Sequence, residues 1–240
     1  MMTRTITRNP FQPFDQDGPG QADIYGVAWD EVNDTYARLG ALAAYPLGQS
    51  PGNLALPIHR QCRRCVVSDA GAVQYFLDPS DSTKKEDGTA ASLDGTDGQV
   101  MWYVPKFYSR YNFSGGVHTW EISQIAGNGF SVDPAFMKNG VEVDARYIGA
   151  YEGYIDGGGK LCSISGVLPT VSRTRTQFRA AAELRGAGWH QFDAVLHGLF
   201  ARLYVIEYAE FNTQLAIGDG VTGYAAWPGG PTALTGNADG

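Results

Sequence analysis

The stretch WHQFDAVLH, Trp189 to His197, holds two histidines and an aspartate, His190, Asp193 and His197, at a spacing that puts side chains on one face of a helix. A helix presents a metal site or an acid/base pair in this way. A zinc site of this kind needs a third protein ligand and an open position, and the metalloprotease pattern H-E-x-x-H is not met. These residues project beside Tyr204, Tyr208 and Phe211 and read as the flank of a packed helix, with no metal and no catalytic role. An enzyme built on this stretch together with Glu207 stands as the opposing reading.

Other candidates fail on context. Cys62-Arg-Arg-Cys65 has C-x-x-C spacing but no second pair and no βαβ unit, and Cys162 stands alone, so three free thiols are expected. Gly218-Asp-Gly220-Val-Thr-Gly223 matches G-x-G-x-x-G, yet it follows a helix and runs into Ala-Ala-Trp-Pro, whereas a dinucleotide site follows a strand and opens a helix. Asp78, Asp81, Asp87, Asp94 and Asp97 match no calcium-loop spacing. Glu207 and Glu210 lie on or beside an apolar helix stripe, where a carboxylate needs a partner. Arg173, Arg175 and Arg179 are the expected partners, pairing two helices. No cofactor is expected.

The elements that must position these residues follow from pattern. Residues 1–23, with three prolines, two glycines and no period, read as an extended arm able to dock on another subunit through Phe11 and Phe14. A β-rich region then covers residues 24–110. IYGVAWD is strand-like and EVNDTYARLG is a polar segment. CVVSDAGAVQYFLD is a hairpin, and residues 78–98, with six acidic residues and two lysines, form a long exposed loop. QVMWYVPKFYSRYNF resumes strand character with Pro105 at a bulge or edge, and Ser114-Gly-Gly116 opens a second hairpin. Short strands continue to Pro169 with Gly157 to Gly159 as a turn. Thr174-Arg-Thr-Gln177 has capping-box spacing and starts a helix that ends near Gly186. A longer helix over roughly 191–213 carries Phe192, Val195, Leu196, Leu199, Leu203 and Ile206 as one buried stripe. Its opposite side, Ala194, Gly198, Ala201, Val205 and Ala209, is small enough for a second element to pack there. A glycine-rich segment closes the chain.

At 240 residues the chain can bury a sizeable core without staples. Net charge −7 with 18% charged residues argues against a nucleic-acid partner. No apolar run has the length of a membrane span, because Arg202 and Glu207 interrupt LFARLYVIEYA, so no membrane insertion is expected. The odd cysteine count and the opening MMTRTITRNP point to synthesis in a reducing cytoplasm. Thirty-one glycines with 5 Trp, 13 Tyr and 11 Phe suit a turn-rich, aromatically packed β protein, and low charge suits surface buried against neighbours.

Taken in order, IYGVAWD, DGQVMWYVPKFY, FSVDPAF, YIGAYEG, TRTQFRAAAELRGAGWHQFD and LYVIEYAEFNTQLAIGDGVTG resemble a family of bacteriophage and prophage virion proteins described as tail- or fibre-associated. The resemblance covers about residues 24–223, and YIGAYEG and RGAGWHQFD with LYVIEYAEFNTQ are its most specific parts. It implies that residues 111–240 are C-type-lectin-like, with two helices across a small irregular sheet and a glycine-rich C-terminal segment. It further implies that WHQFDAVLH starts a core helix whose histidines are scaffold. Chains of that family continue past the glycine-rich segment, whereas this sequence ends at Gly240, which moves the expectation from sugar binding toward assembly, including attachment to the capsid.

The expected fold class is α+β: irregular sheets and hairpins, then two helices. The expected role is a non-enzymatic virion structural protein of tail or fibre, with a capsid decoration or head-fibre protein as the alternative. Its expected partners are copies of itself, as trimer or hexamer, and other virion proteins. A host glycan bound near Tyr224 and Trp227, or at the acidic loop, is a further reading.

Overall fold

A computed structural model describes residues 24–218 and Thr235. The arm at 1–23, Tyr224 and Trp227 lie outside the described residues. The chain opens with β1 (Ile24–Asp30), β2 (Thr35–Gly40), β3 (Arg63–Val67) and β4 (Val73–Phe76), then β5 (Gln99–Pro105), β6 (Tyr108–Ser114) and β7 (Val117–Ser123). Short strands follow: β8 (Ser131–Val132), β9 (Met137–Lys138), β10 (Val141–Glu142), β11 (Ala145–Gly149), β12 (Tyr154–Ile155) and β13 (Leu161–Cys162). The helices come last, α1 (Arg175–Glu183), α2 (Ala194–Tyr208) and the short α3 (Thr213–Ile217). The fold is mixed α+β and strand-rich, with small antiparallel sheets, as the patterning implied.

Two sheets carry the core. One runs β2-β1-β7-β6-β8 and the other β11-β5-β3-β4, and every pairing in them is antiparallel. The strands β9 with β10 and β12 with β13 form separate hairpins. Alternation along β1 sends Tyr25 and Val27 into the core. Gly26, on the other face, is required: a Cβ there would lie 2.1 Å from the Trp120 carbonyl oxygen. EVNDTYARLG is not merely polar. The Asp30 carboxylate accepts the amides of Val32 and Asn33 at 2.9 and 3.1 Å, closing a tight turn into β2.

A division between residues 110 and 111 would cut through β6. Because β1 pairs with β7, and β7 with β6, the five-stranded sheet draws on both proposed regions, and separating them would break its ladder. The hairpins at 63–76 and 108–123 form as expected, and Pro105 ends β5 opposite Ala145. The 78–98 loop is held by Asp78, Asp81, Asp87 and Asp94, each of whose carboxylates accepts an amide two residues ahead. Ala91 and Leu93 pack it against Val66, Leu77 and Val100.

Helix α1 begins with the full capping box of Thr174 and Gln177. Helix α2 lies across the core and buries Leu196, Leu199, Leu203 and Ile206 with Tyr25, Val27, Val104, Phe107, Ile122 and Phe136. It is shorter than the periodicity implies. Asp193 is the N-cap, its carboxylate accepting the Leu196 amide at 2.9 Å, so Phe192 and Val195 stay 48% and 46% exposed. Ala209 adopts a left-handed conformation, φ 51°, that ends the helix, and Asn212 then caps α3. On the small-residue side only Val205 and Ala209 are buried, while Ala194 and Ala201 are exposed, so packing there is confined to the C-terminal half.

That end of α2 is gripped by Arg38 of β2, 6% exposed. Its Nη1 donates to the Ile206 carbonyl at 3.0 Å, its Nη2 to those of Glu207 and Gln49 at 2.7 Å, and its Nε to that of Pro46 at 2.8 Å. Those of Ile206 and Glu207 are helix carbonyls that lack intrahelical donors and carry the negative end of the helix dipole. Arg38→Met keeps most of the volume and removes every donor, so it is expected to cost about 3 kcal/mol of unfolding free energy, read from urea denaturation. A loss below about 1 kcal/mol would show that water satisfies those carbonyls.

Candidate interaction surface

The fold disperses the WHQFDAVLH candidates. His190 precedes α2 and is exposed, with Nδ1 2.9 Å from the Gln191 carbonyl and 3.9 Å from Asp193 Oδ2. The Asp193 carboxylate is occupied in capping. His197 lies on the exposed side of α2, its ring centroid 6.5 Å from that of Phe192. The three therefore do not share a helix face, because the helix starts only at Ala194. Glu207, ten residues beyond His197, is about 15 Å further along the axis. No group of three or more His, Cys, Asp or Glu side chains able to hold a metal occurs among the described residues. Trp189, His190 and Phe192 instead line a trough of about 710 Å³ with Met101, Ile148 and Phe178.

The expected arginine–carboxylate pairing of helices does not form. Arg173, Arg175 and Arg179 are exposed, and Arg173 donates to the Ser172 carbonyl. The Glu210 carboxylate accepts the Asn212 amide at 2.7 Å, across the turn that ends α2. The arginine that serves this end of the helix is Arg38, which reaches backbone carbonyls from a distant strand. Among the cysteines, burial pushes the thiols of Cys62 and Cys65 up to about 12, and burial also raises that of Cys162, so all three are weak nucleophiles. Of the G-x-G-x-x-G stretch, Gly218 follows α3 and the remainder lies outside the described residues.

A cleft of about 730 Å³ opens beside α2, lined by His59, Arg60, Arg63, Trp102, Tyr204 and Glu207 among others. His59 is locked into the fold. Its Nε2 lies 3.0 Å from the Leu203 carbonyl, which only accepts, so Nε2 carries the proton and donates. Nδ1 then accepts from the Tyr25 hydroxyl at 3.3 Å, and that oxygen takes the Ile58 amide at 3.0 Å. This chain ties β1 to α2. Arg63 is engaged by Glu86 at 2.7 Å and by the face of Phe76 at 3.6 Å.

The most unusual surface lies where β1, β6 and β7 run beyond the end of α2. Register places Trp29 opposite His118, Phe113 opposite His118, and Tyr111 opposite Trp120, all on the face that carries Tyr25 and Val27 deeper in the sheet. His118 is the hub. Its ring stacks on Trp29 at 5.1 Å and on Trp120 at 5.4 Å, with Phe113 at 4.5 Å. Its Nδ1 is 2.9 Å from the Tyr111 hydroxyl, and its Nε2 is 3.0 Å from the Glu31 carboxylate. Phe211, placed by the turn after α2, sets its edge on Trp29 at 4.9 Å.

Tyr111, Phe113 and Phe211 remain 56%, 50% and 43% exposed, and Val32 at the same end of the sheet 78%. A contiguous aromatic patch of this kind marks an interaction site. Strand patterning in IYGVAWD and VHTWEIS does not by itself announce this surface. The signal was present: odd-numbered positions 25, 27 and 29, with 118, 120 and 122, are aromatic, aliphatic or His on both strands. Helical spacing sets Phe211 on a face with Tyr204 and Tyr208. Those two do stack on α2, at 5.0 Å, but Phe211 lies past the helix end.

Burial disfavours the imidazolium of His59 and holds its pKa below the ordinary 6.5, against the weaker opposing pull of the Leu203 carbonyl and Glu207. As pH falls through 6.5 the unfolded chain takes up a proton that the folded chain refuses, so stability is lost on acidification. The urea midpoint is expected to fall from about pH 7.5 to about pH 5.5, and to fall less in His59→Gln, which keeps a donor for Leu203. Equal slopes in the two proteins would remove His59 as the source.

The chain matches no family model, no curated protein and no solved structure.

Proposed function

We propose that this protein is a non-enzymatic structural component of a bacteriophage virion, associated with the tail or its fibres, that assembles as an oligomer. The exposed aromatic surface built on Trp29, Tyr111, Phe113, His118, Trp120 and Phe211 carries the assembly part of this reading. Aromatic groups of this density at a surface are typical of the centres of protein contacts. The ordered segments from IYGVAWD to LYVIEYAEFNTQ supply the virion part. Helices α1 and α2 beside small irregular sheets support a C-type-lectin-like class for the second half.

The ring geometry favours a protein contact over a sugar. A pyranose stacks on an open aromatic face, whereas His118 and Trp120 lie within 6° of parallel and face one another, as do Trp29 and His118 at 27°. The facing sides of Trp29, His118 and Trp120 are spent within the cluster, and what remains to a partner is the exposed area of Tyr111 and Phe113 and the backbone of β6.

Immunogold electron microscopy, with an antibody against this chain on particles released by its host, tests the assignment. Label on tail or fibres is the expected result. Label over the head would move the protein to a capsid-attached role, and unlabelled particles lacking the chain by mass spectrometry would overturn the virion reading.

A further inference from the structure

Among the described residues, the outer half of β6 is an open strand edge, and the hairpin it belongs to dictates which backbone groups that edge offers. Gly115 and Gly116 form a two-residue loop with φ 59° and 82°, a turn that closes on a hydrogen-bonded pair, here Ser114 and Val117. Alternation then makes Asn112/Thr119 and Arg110/Glu121 hydrogen-bonded pairs. Phe113/His118 and Tyr111/Trp120 are the non-bonded pairs between them. The N–H and C=O groups of Tyr111 and Phe113 therefore point away from β7. On that side β8 takes up only Tyr108 and Ser109. The run Tyr-Asn-Phe-Ser at 111–114 is exposed and carries none of the lysine or proline that commonly blunts a free edge.

We infer that β6 pairs antiparallel with β6 of a second copy across a two-fold axis at Asn112, joining the two five-stranded sheets into one. In this register each Tyr111 exchanges both backbone bonds with Phe113 of the other copy, so every outward group of the free edge is satisfied. Neighbouring registers fail. An axis at Tyr111 would set Phe113 against Ser109, which β8 already holds, and an axis at Phe113 would need Gly115, which is in the turn. Arg110 meets Ser114, so no like charges oppose each other, and Arg110 is already neutralised by Glu121 at 2.7 Å. Tyr111 and Phe113 of the two copies fall side by side on one face, fusing the two aromatic patches, a favourable cross-strand pairing. The contact is isologous and closes on itself. It gives a dimer or an even-numbered assembly containing one, and it cannot close a trimer.

This inference rests on the oligomeric part of the proposed function and is independent of where on a particle the protein sits. The test uses the full chain in a concentration series by light scattering, with two variants. The mass is expected to approach twice the 25.9 kDa of the chain. Phe113→Lys, which sets a charge at the edge and leaves the hairpin bonds intact, is expected to weaken association at least about tenfold. Asn112→Cys reads the register. Across a two-fold axis a non-bonded antiparallel pair has Cα atoms about 4.5 Å apart, within disulfide reach, so mild oxidation is expected to give a covalent dimer. Ser114→Cys, which faces Arg110 rather than itself, and the unmodified chain are expected to give none. A monomer at every concentration overturns the inference. So does an oligomer that survives Phe113→Lys with no Asn112→Cys cross-link, and in that case assembly through another face still stands.

Discussion

The position of α2 is set by two arginines, and the rest of the molecule is arranged around that fact. Arg38 holds the C-terminal carbonyls from β2, while Arg202, midway along the helix, reaches Asp133 at 2.7 Å. Asp133 has no exposure and also accepts the Ala135 amide at 3.0 Å, capping the turn at 134–136 that puts Phe136 into the core. A buried ion pair of this kind contributes little net stability against a well-packed apolar alternative, because desolvating both charges offsets their attraction. It does forbid other placements, since any sliding of α2 would leave Asp133 buried without its counter-charge. The apolar stripe Leu196, Leu199, Leu203 and Ile206 supplies the driving force, and the arginines supply the register.

That register explains why α2 leaves the aromatic surface uncovered. Arg38 pairs across the sheet with Val27, so the helix terminus it holds stands over the middle of β1. Ala209 turns left-handed there, and the chain leaves the helix line. The remaining core-facing residue of β1 is Trp29, and its neighbours His118, Trp120, Tyr111 and Phe113 continue the same face past the point where α2 ends. Among the described residues, Phe211 is the ring that the departing chain lays on this cluster from beyond the helix, through Trp29, Tyr36 and Trp120. A core face that outruns its cover is an ordinary packing outcome in kind, but six aromatic or His side chains at its open end are not, and a partner is the physical way to remove them from water.

The parts of this architecture that were legible in sequence are those written in local chemistry. Thr174 and Gln177 specify a helix start by themselves, Gly115 and Gly116 specify a turn only glycine adopts easily, and the apolar spacing from Leu196 to Ile206 specifies a buried helix face. Long-range choices were not legible. Nothing near Glu207 announces that its carbonyl will be met by a guanidinium 169 residues away, so nearby Arg173, Arg175 and Arg179 looked like the natural partners. The pairing of β1 with β7 likewise joins segments separated by most of the second sheet, and a boundary at residue 110 taken from the family resemblance could not see it. His190, Asp193 and His197 misled for a smaller reason: a helical spacing says nothing about which residue caps the helix, and Asp193 is the cap.

Charge patterning completes the argument for what kind of surface this is. Several cations near the two sheets are matched to carboxylates inside the fold: Arg63 with Glu86, Lys106 with Glu142 and Asp144, Arg110 with Glu121, and Lys160 and Arg185 with Asp69. Much of the acidic excess behind the net charge of −7 sits in the 78–98 loop, where backbone amides already hold several carboxylates. At the aromatic cluster itself the polar groups are bound to one another, His118 to Glu31 and to Tyr111, and Trp29 to Asp34. Little free charge is left there to steer or to select a charged ligand. Recognition at this surface has to come from apolar area and from the unsatisfied backbone of β6, and those are the two things a strand edge of another protein supplies together.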